Sequence, residues 1–242
     1  MKKIVVFIAI LFSLFSRVSA EIYVVAVGIS KYKNCNDLSL PDDDAKTIAA
    51  LYKTKTENVI TITGRYATRA NIIKAMMDQF RRANSADMVV FFFSGHGYEG
   101  GLCPYDFDRG KNALSYEDIY AAFKQSKATR KIVMVDACMS GGLRHGKPQK
   151  YNLSEKRSDV VMFLSSRGRE ISRENVSMKN GFFTTYLDKG FRGGADANRD
   201  RIITAKELFN FVSKGVKNIS KDKQHPVMWG NFDDNFIMMD FR

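Results

Sequence analysis

The chain has 242 residues, 45% of them apolar and 12% aromatic, and carries a formal net charge of +12. That is ample material for one full hydrophobic core, so a single domain is expected. Three cysteines, Cys35, Cys103 and Cys138, allow at most one intramolecular bridge, and no Cys-x-x-Cys or His-rich spacing suggests zinc.

The first twenty residues read as a secretory signal peptide. Lys2 and Lys3 precede an apolar run from Ile4 to Phe15, and Val18, Ser19 and Ala20 form a small-residue exit. The run is shorter than the ~18 residues a spanning helix needs, so cleavage after Ala20 is favoured over an uncleaved anchor. The mature chain, 21–242, is expected to be exported, periplasmic or secreted, with no membrane attachment. Cleavage lowers the formal charge from +12 to +9. A basic balance can serve nucleic acid or an anionic surface. Here the charges are scattered and no aromatic-plus-basic strand motif accompanies them, so solvated surface is the reading and no nucleic acid is expected.

From residue 22 onward, apolar runs alternate with helical periodicity. Strands are predicted over 22–30, 58–64, 87–97, 131–138 and 160–166, and helices over 42–53, 68–83, 115–125, 181–191 and 204–216. Late strand-like pieces fall between 227 and 239. The run at 87–97 is continuously apolar, as expected of a strand buried on both faces. Strands separated by helix-length connections predict an α/β fold, a doubly wound, mostly parallel six-stranded sheet with helices on both faces. In such a sheet functional groups gather beyond the carboxyl ends of the strands.

Two residues fall there. His96 follows the apolar run of the third strand between Gly95 and Gly97, and Cys138 ends the fourth, followed by Met139, Ser140, Gly141 and Gly142. A thiol attacks as thiolate and a leaving amine needs a proton, so Cys138 and His96 form a minimal acyl-transfer pair. Backbone amides of Gly97 and Cys138 are candidate donors to the oxyanion of a peptide carbonyl. Each residue alone would be structural more often than catalytic; their matching positions favour catalysis. His145 and His225 read as surface histidines. Cys35 and Cys103 fall in polar loops and are candidates for a bridge.

The stretches Phe91–Gly97 (FFFSGHG) and Val135–Gly142 (VDACMSGG) resemble the His and Cys boxes of the caspase and metacaspase family, closer to its bacterial metacaspase-like members. The resemblance extends over about 22–240 and implies a caspase-like fold and a cysteine endopeptidase acting on protein or peptide substrates. Asp136, two residues before the cysteine, follows the metacaspase pattern, which implies a primary pocket for Arg or Lys lined by carboxylates. Asp44, at the end of an acidic turn, would supply the second carboxylate, and Ser165, with Ser166, a wall. For Asp42 and Asp43, helix N-terminal charge complementarity weighs equally. The basic loop 144–158 lies where related enzymes are cut in two, and self-processing there is a candidate property.

One further motif lies at 196–207. Asp196, Asn198, Asp200, the Ile202 carbonyl and Glu207 occupy positions 1, 3, 5, 7 and 12 of an EF-hand-like calcium loop, with Thr204 at position 9. Position 6, normally Gly, is Arg201, which would have to adopt a left-handed conformation. The alternative is a helix-loop-helix turn ordered without metal. No cofactor is required for the chemistry; Ca2+ is the one candidate ion. The leading expectation is therefore an exported cysteine endopeptidase that cleaves after Arg or Lys. A catalytically silent caspase-like binding module and a polyanion-binding protein are the alternatives.

Overall fold

The computed structural model describes residues 20–98, 101–137, 159–166, 179–230, 233 and 235–242. The leader expected at 1–20 (apart from Ala20), Cys138 and the basic loop 144–158 with His145 lie outside them. In chain order the elements are β1 (Ile22–Gly28), α1 (Pro41–Lys53), β2 (Val59–Thr63), α2 (Arg69–Phe80), β3 (Met88–Gly95), β4 (Gly97–Tyr98), β5 (Gly101–Leu102) and β6 (Leu114–Ser115). They continue with α3 (Tyr116–Gln125), β7 (Arg130–Ala137), β8 (Asp159–Leu164), α4 (Phe182–Lys189), β9 (Ile202–Thr204), α5 (Ala205–Ile219), β10 (Val227–Gly230) and β11 (Ile237–Asp240).

Six strands form the central sheet in the order β10-β8-β7-β3-β1-β2. Every neighbour pair is parallel except β10 with β8. From β1 the chain first builds outward to β2 and then crosses back to β3 on the other side, so the strand order reverses between β1 and β3. A crevice opens at such a reversal, at the carboxyl ends of the strands. The sheet separates two cores. On one face α1, α4 and α5 pack Ile48, Leu51, Phe183, Leu187, Leu208 and Val212 against Val24, Val90, Phe92 and Met134. On the other, α2 and α3 pack Ile72, Met76, Phe80, Ile119 and Phe123 against Val25, Val27, Phe91 and Val135. Alternate residues of β3 thus serve opposite cores, which is why its sequence shows no polar alternation.

Local chemistry sets the helix starts. Thr68 accepts the Asn71 N–H and caps α2, while Ser115 with Asp118 and Thr204 with Glu207 close reciprocal capping boxes on α3 and α5. Pro41 opens α1, where its missing N–H costs nothing.

One expectation is corrected. The strand predicted over 87–97 ends at Gly95, and the chain beyond His96 enters an antiparallel three-stranded sheet, β4-β5-β6. A second small sheet pairs β11 with β9. The two-residue strands of the first are too short to display a period, whereas in the second β11 overlaps the late strand-like pieces expected between 227 and 239 and only the three-residue β9 was not foreseen.

The approach of α1 to the sheet depends on Gly28. A Cβ there would sit 2.1 Å from the Pro41 carbonyl oxygen and 2.8 Å from the Ala45 Cβ. Gly28→Ala is expected to destabilise the protein by about 1–3 kcal/mol through forced displacement of α1. Urea unfolding checks this, and an unchanged midpoint would show that α1 is free to shift.

Candidate active site

Parallel register brings the strand ends together. Gly28 is level with Ser94, Ser94 with Asp136, and Gly95 with Ala137. Each residue following these last two is a predicted catalytic residue: His96 follows Gly95, and Cys138, outside the described residues, follows Ala137.

His96 is fixed at three points. Its backbone N–H donates to the Tyr32 hydroxyl at 2.7 Å, its carbonyl accepts the Cys103 N–H at 2.9 Å, and its Nε2 lies 2.8 Å from the Asn36 carbonyl oxygen. A carbonyl can only accept, so the neutral ring carries its proton on Nε2. Nδ1 is then the nitrogen with a lone pair for a thiol proton. The bond from Cys103 N–H to His96 O makes Gly97 and Leu102 a non-hydrogen-bonded pair between β4 and β5. The Gly97 N–H is thereby turned away from β5, an orientation compatible with its expected role as an oxyanion donor.

Beside these strand ends two carboxyl groups converge. Asp44, buried on α1, accepts from Ser94 Oγ at 2.7 Å, from Asn180 Nδ2 at 3.0 Å and from the Gly181 N–H at 3.0 Å. Asp136, buried at the end of β7, accepts from the Thr184 hydroxyl at 2.9 Å and the Thr184 N–H at 3.2 Å. A Cβ placed on Gly181 would lie 3.0 Å from one Asp136 oxygen and 3.4 Å from one Asp44 oxygen, so both acids meet at the start of α4. Burial first, and the Asp136 carboxylate second, raise the Asp44 carboxyl to about 8 against the pull of its three hydrogen-bond donors.

The neighbouring acids have other tasks. Asp42 accepts the Ser30 N–H at 2.9 Å while Ser30 Oγ accepts the Asp42 N–H, tying α1 to the loop after β1. Asp43 forms an exposed pair with Lys46. Of the three, only Asp44 is turned toward Asp136.

Ser165, fully buried after β8, directs its hydroxyl to the backbone of Ala137, and the Ser166 hydroxyl reaches the same carbonyl at 3.4 Å. Both brace the residue preceding Cys138. Cys35 and Cys103 stand as free thiols, and Cys103, in the loop after β5, is buried against the core. Burial, with Cys35 nearby, pushes the Cys103 thiol up to about 12, and burial raises Cys35 as well. Neither is poised as a nucleophile. His225 pairs with Asp222 at 3.0 Å.

In the 196–207 loop, Asp196 accepts the N–H groups of Asp200 and Arg201, Asn198 that of Asp200, and Asp200 that of Ile202. Ile202 opens β9, and Glu207 is engaged by Thr204 in the cap of α5. Arg199 and Arg201 adopt left-handed conformations, φ 63° and 67°. Among the described residues no group of three or more His, Cys, Asp or Glu side chains is placed to hold a metal ion. The carboxylates in this arrangement order a turn and cap a helix.

The site's partners Ser94, Asn180, Thr184, Tyr32 and Asn36 were not singled out in the sequence. Ser94 and Thr184 carry only the weak signal of polar residues inside apolar segments.

The family model of the caspase domain matches residues 22–237, and the chain belongs to that family. In fold it is similar to the crystal structure of protein GSU0716 from Geobacter sulfurreducens, with a TM-score of 0.67 at 17% identity, covering 91% of this chain and 97% of that one. No curated protein matches the sequence.

An acid whose carboxyl is raised in the folded state stabilises the fold below its unfolded value, about 3.9, and that contribution is lost as pH rises through about 8. Asn at position 44 can keep the Asn180 and Gly181 bonds on its oxygen and donate to Ser94 Oγ. Asp44→Asn is therefore expected to flatten the decline in unfolding free energy between about pH 4 and 8, read by urea titrations at several pH values. Parallel curves for the two proteins would contradict the assignment.

Proposed function

We propose that this caspase-domain protein is an exported cysteine endopeptidase that cleaves peptide bonds after Arg or Lys. The observation that carries the reading is the convergence of Asp44 and Asp136 at the strand ends that also deliver His96 and the residue before Cys138. Two acids in a buried pocket suit a guanidinium or ammonium, which supplies the charge that their burial lacks. They disfavour an acidic or apolar side chain in the same position.

In the proposed mechanism the arginyl or lysyl side chain enters between Asp44 and Asp136 and thereby sets the position of the following carbonyl. His96 Nδ1 takes the Cys138 thiol proton, and the sulfur attacks the carbonyl carbon. The Gly97 and Cys138 N–H groups receive the developing oxyanion. His96 then protonates the leaving amine, and water hydrolyses the thioester with His96 as base. No step uses calcium. The loop 144–158 offers Arg144, Lys147, Lys150, Lys156 and Arg157 to the same specificity, so self-cleavage there belongs to the proposal.

Fluorogenic peptides ending in Arg, Lys or Asp, offered to protein beginning at Glu21 with and without calcium, test the reading. Turnover after Arg and Lys is expected, with a loss of about 10³-fold or more in Cys138→Ala. Turnover after Asp would overturn the pocket, and none at all would favour a catalytically silent module.

The raised Asp44 carboxyl gives a second expectation. Cation binding needs the ionised pair, so KM for an Arg substrate should rise by up to about tenfold per unit as pH falls below about 8. A KM flat between pH 6 and 9 would contradict it.

A further inference from the structure

We propose that Tyr32 is a positioning residue for His96, holding both its backbone and its ring so that Nδ1 is left to the nucleophile. The inference rests on the peptidase reading above and adds a residue that the His and Cys boxes do not include.

Tyr32 lies in the turn that leaves β1, 64 residues from the histidine. It reaches His96 in two ways. Its hydroxyl accepts the His96 backbone N–H at 2.7 Å, and its ring lies against the imidazole with centroids 4.8 Å apart and planes inclined by 43°. The side chain is buried, and burial raises its phenol far above the ordinary value, so it remains a neutral hydroxyl wherever the enzyme would work. Gly95 leaves the room this contact needs, since a Cβ there would stand 2.5 Å from the Tyr32 oxygen.

The same turn carries the other half of the arrangement. Asp37 accepts the Tyr32 N–H at 3.2 Å, and Leu38 N–H returns to the Ser30 carbonyl at 2.8 Å, closing the turn. Within it, Asn36 presents the carbonyl that receives the imidazole Nε2–H. One compact turn therefore grips the histidine at its main chain through Tyr32 and at its ring through Asn36, with the Tyr32 ring packed against the imidazole. Without the hydroxyl the His96 N–H loses its acceptor, and without the ring the imidazole can rotate away from Asn36, exchanging the roles of Nδ1 and Nε2.

Two substitutions separate these parts. Tyr32→Phe keeps the ring and removes the acceptor; Tyr32→Leu removes both. Rates are taken per active site titrated with an irreversible thiol reagent, so loss of folded protein does not enter. In Tyr32→Phe, kcat is expected to fall about tenfold with KM within about twofold, and in Tyr32→Leu kcat should fall about a hundredfold.

The 15N shifts of the His96 ring nitrogens at alkaline pH, recorded in the Cys138→Ala background, give a readout independent of turnover. The Nε2–H tautomer should dominate when Tyr32 is intact and in Tyr32→Phe, and give way to a mixture in Tyr32→Leu. A lower melting temperature with kcat per titrated site unchanged would overturn the proposal, as would an unaltered tautomer in Tyr32→Leu. If wild-type protein hydrolyses no peptide, the peptidase reading fails by itself, and the ring-nitrogen shifts still decide whether Tyr32 orients the histidine.

Discussion

Two carboxyl groups are held together out of water at the carboxyl edge of the sheet. Asp44 and Asp136 come from elements far apart in sequence, and each is removed from water at a cost that a soluble fold ordinarily avoids. The structure offsets part of that cost with Ser94, Asn180, the Gly181 amide and Thr184, all donating to the two acids. The donors do not suffice to ionise both groups, and Asp44 holds its proton toward neutral pH. On the proposed reading what this pair lacks is a cation, which an arginyl or lysyl side chain would supply.

The parallel sheet brings this acid pair beside His96 and the residue that precedes Cys138. Strands β1, β3 and β7 end level with one another, so residues that follow them arrive at one edge without any loop having to fold back. Gly28 lets α1 close on this edge and bring Asp44 to it. The start of α4 joins both acids, Gly181 bonding to Asp44 and Thr184 to Asp136 on β7. On the proposed reading specificity and chemistry thereby share one support, which favours the precise placement of a scissile bond.

Much of this was legible in the sequence because it is written in periodicity. The continuous apolar run of β3 announced a strand buried twice over, although the expected strand ran on to residue 97 and the observed one stops at Gly95. Asp44 also carried a helical signal: with Ile48 and Leu51 it forms a stripe at i, i+4 and i+7, the buried face of α1, while Asp42 and Asp43 fall off it. What stayed hidden is tertiary. Asn180 lies 136 residues from Asp44, and Tyr32 lies 64 from His96, in a turn whose residues have no period and no motif. The hairpin after His96 escaped for a different reason, since its two-residue strands are held by main-chain bonds that no side-chain pattern records. Arg201 shows the opposite failing of motif reading, because the loop adopts the left-handed conformation that its missing glycine argued against.

The central claim is that the Asp44 and Asp136 pair gives up a proton to receive a basic side chain. It is tested most directly by calorimetric titration of the Cys138→Ala protein at pH 7 with a peptide containing a single Arg, in buffers of differing ionisation enthalpy. The account predicts release of close to one proton per peptide bound, and a release that disappears in the added Asp44→Asn variant. Binding of the Arg peptide with no proton released, or equally tight binding of a peptide with Asp in place of the Arg, would contradict it.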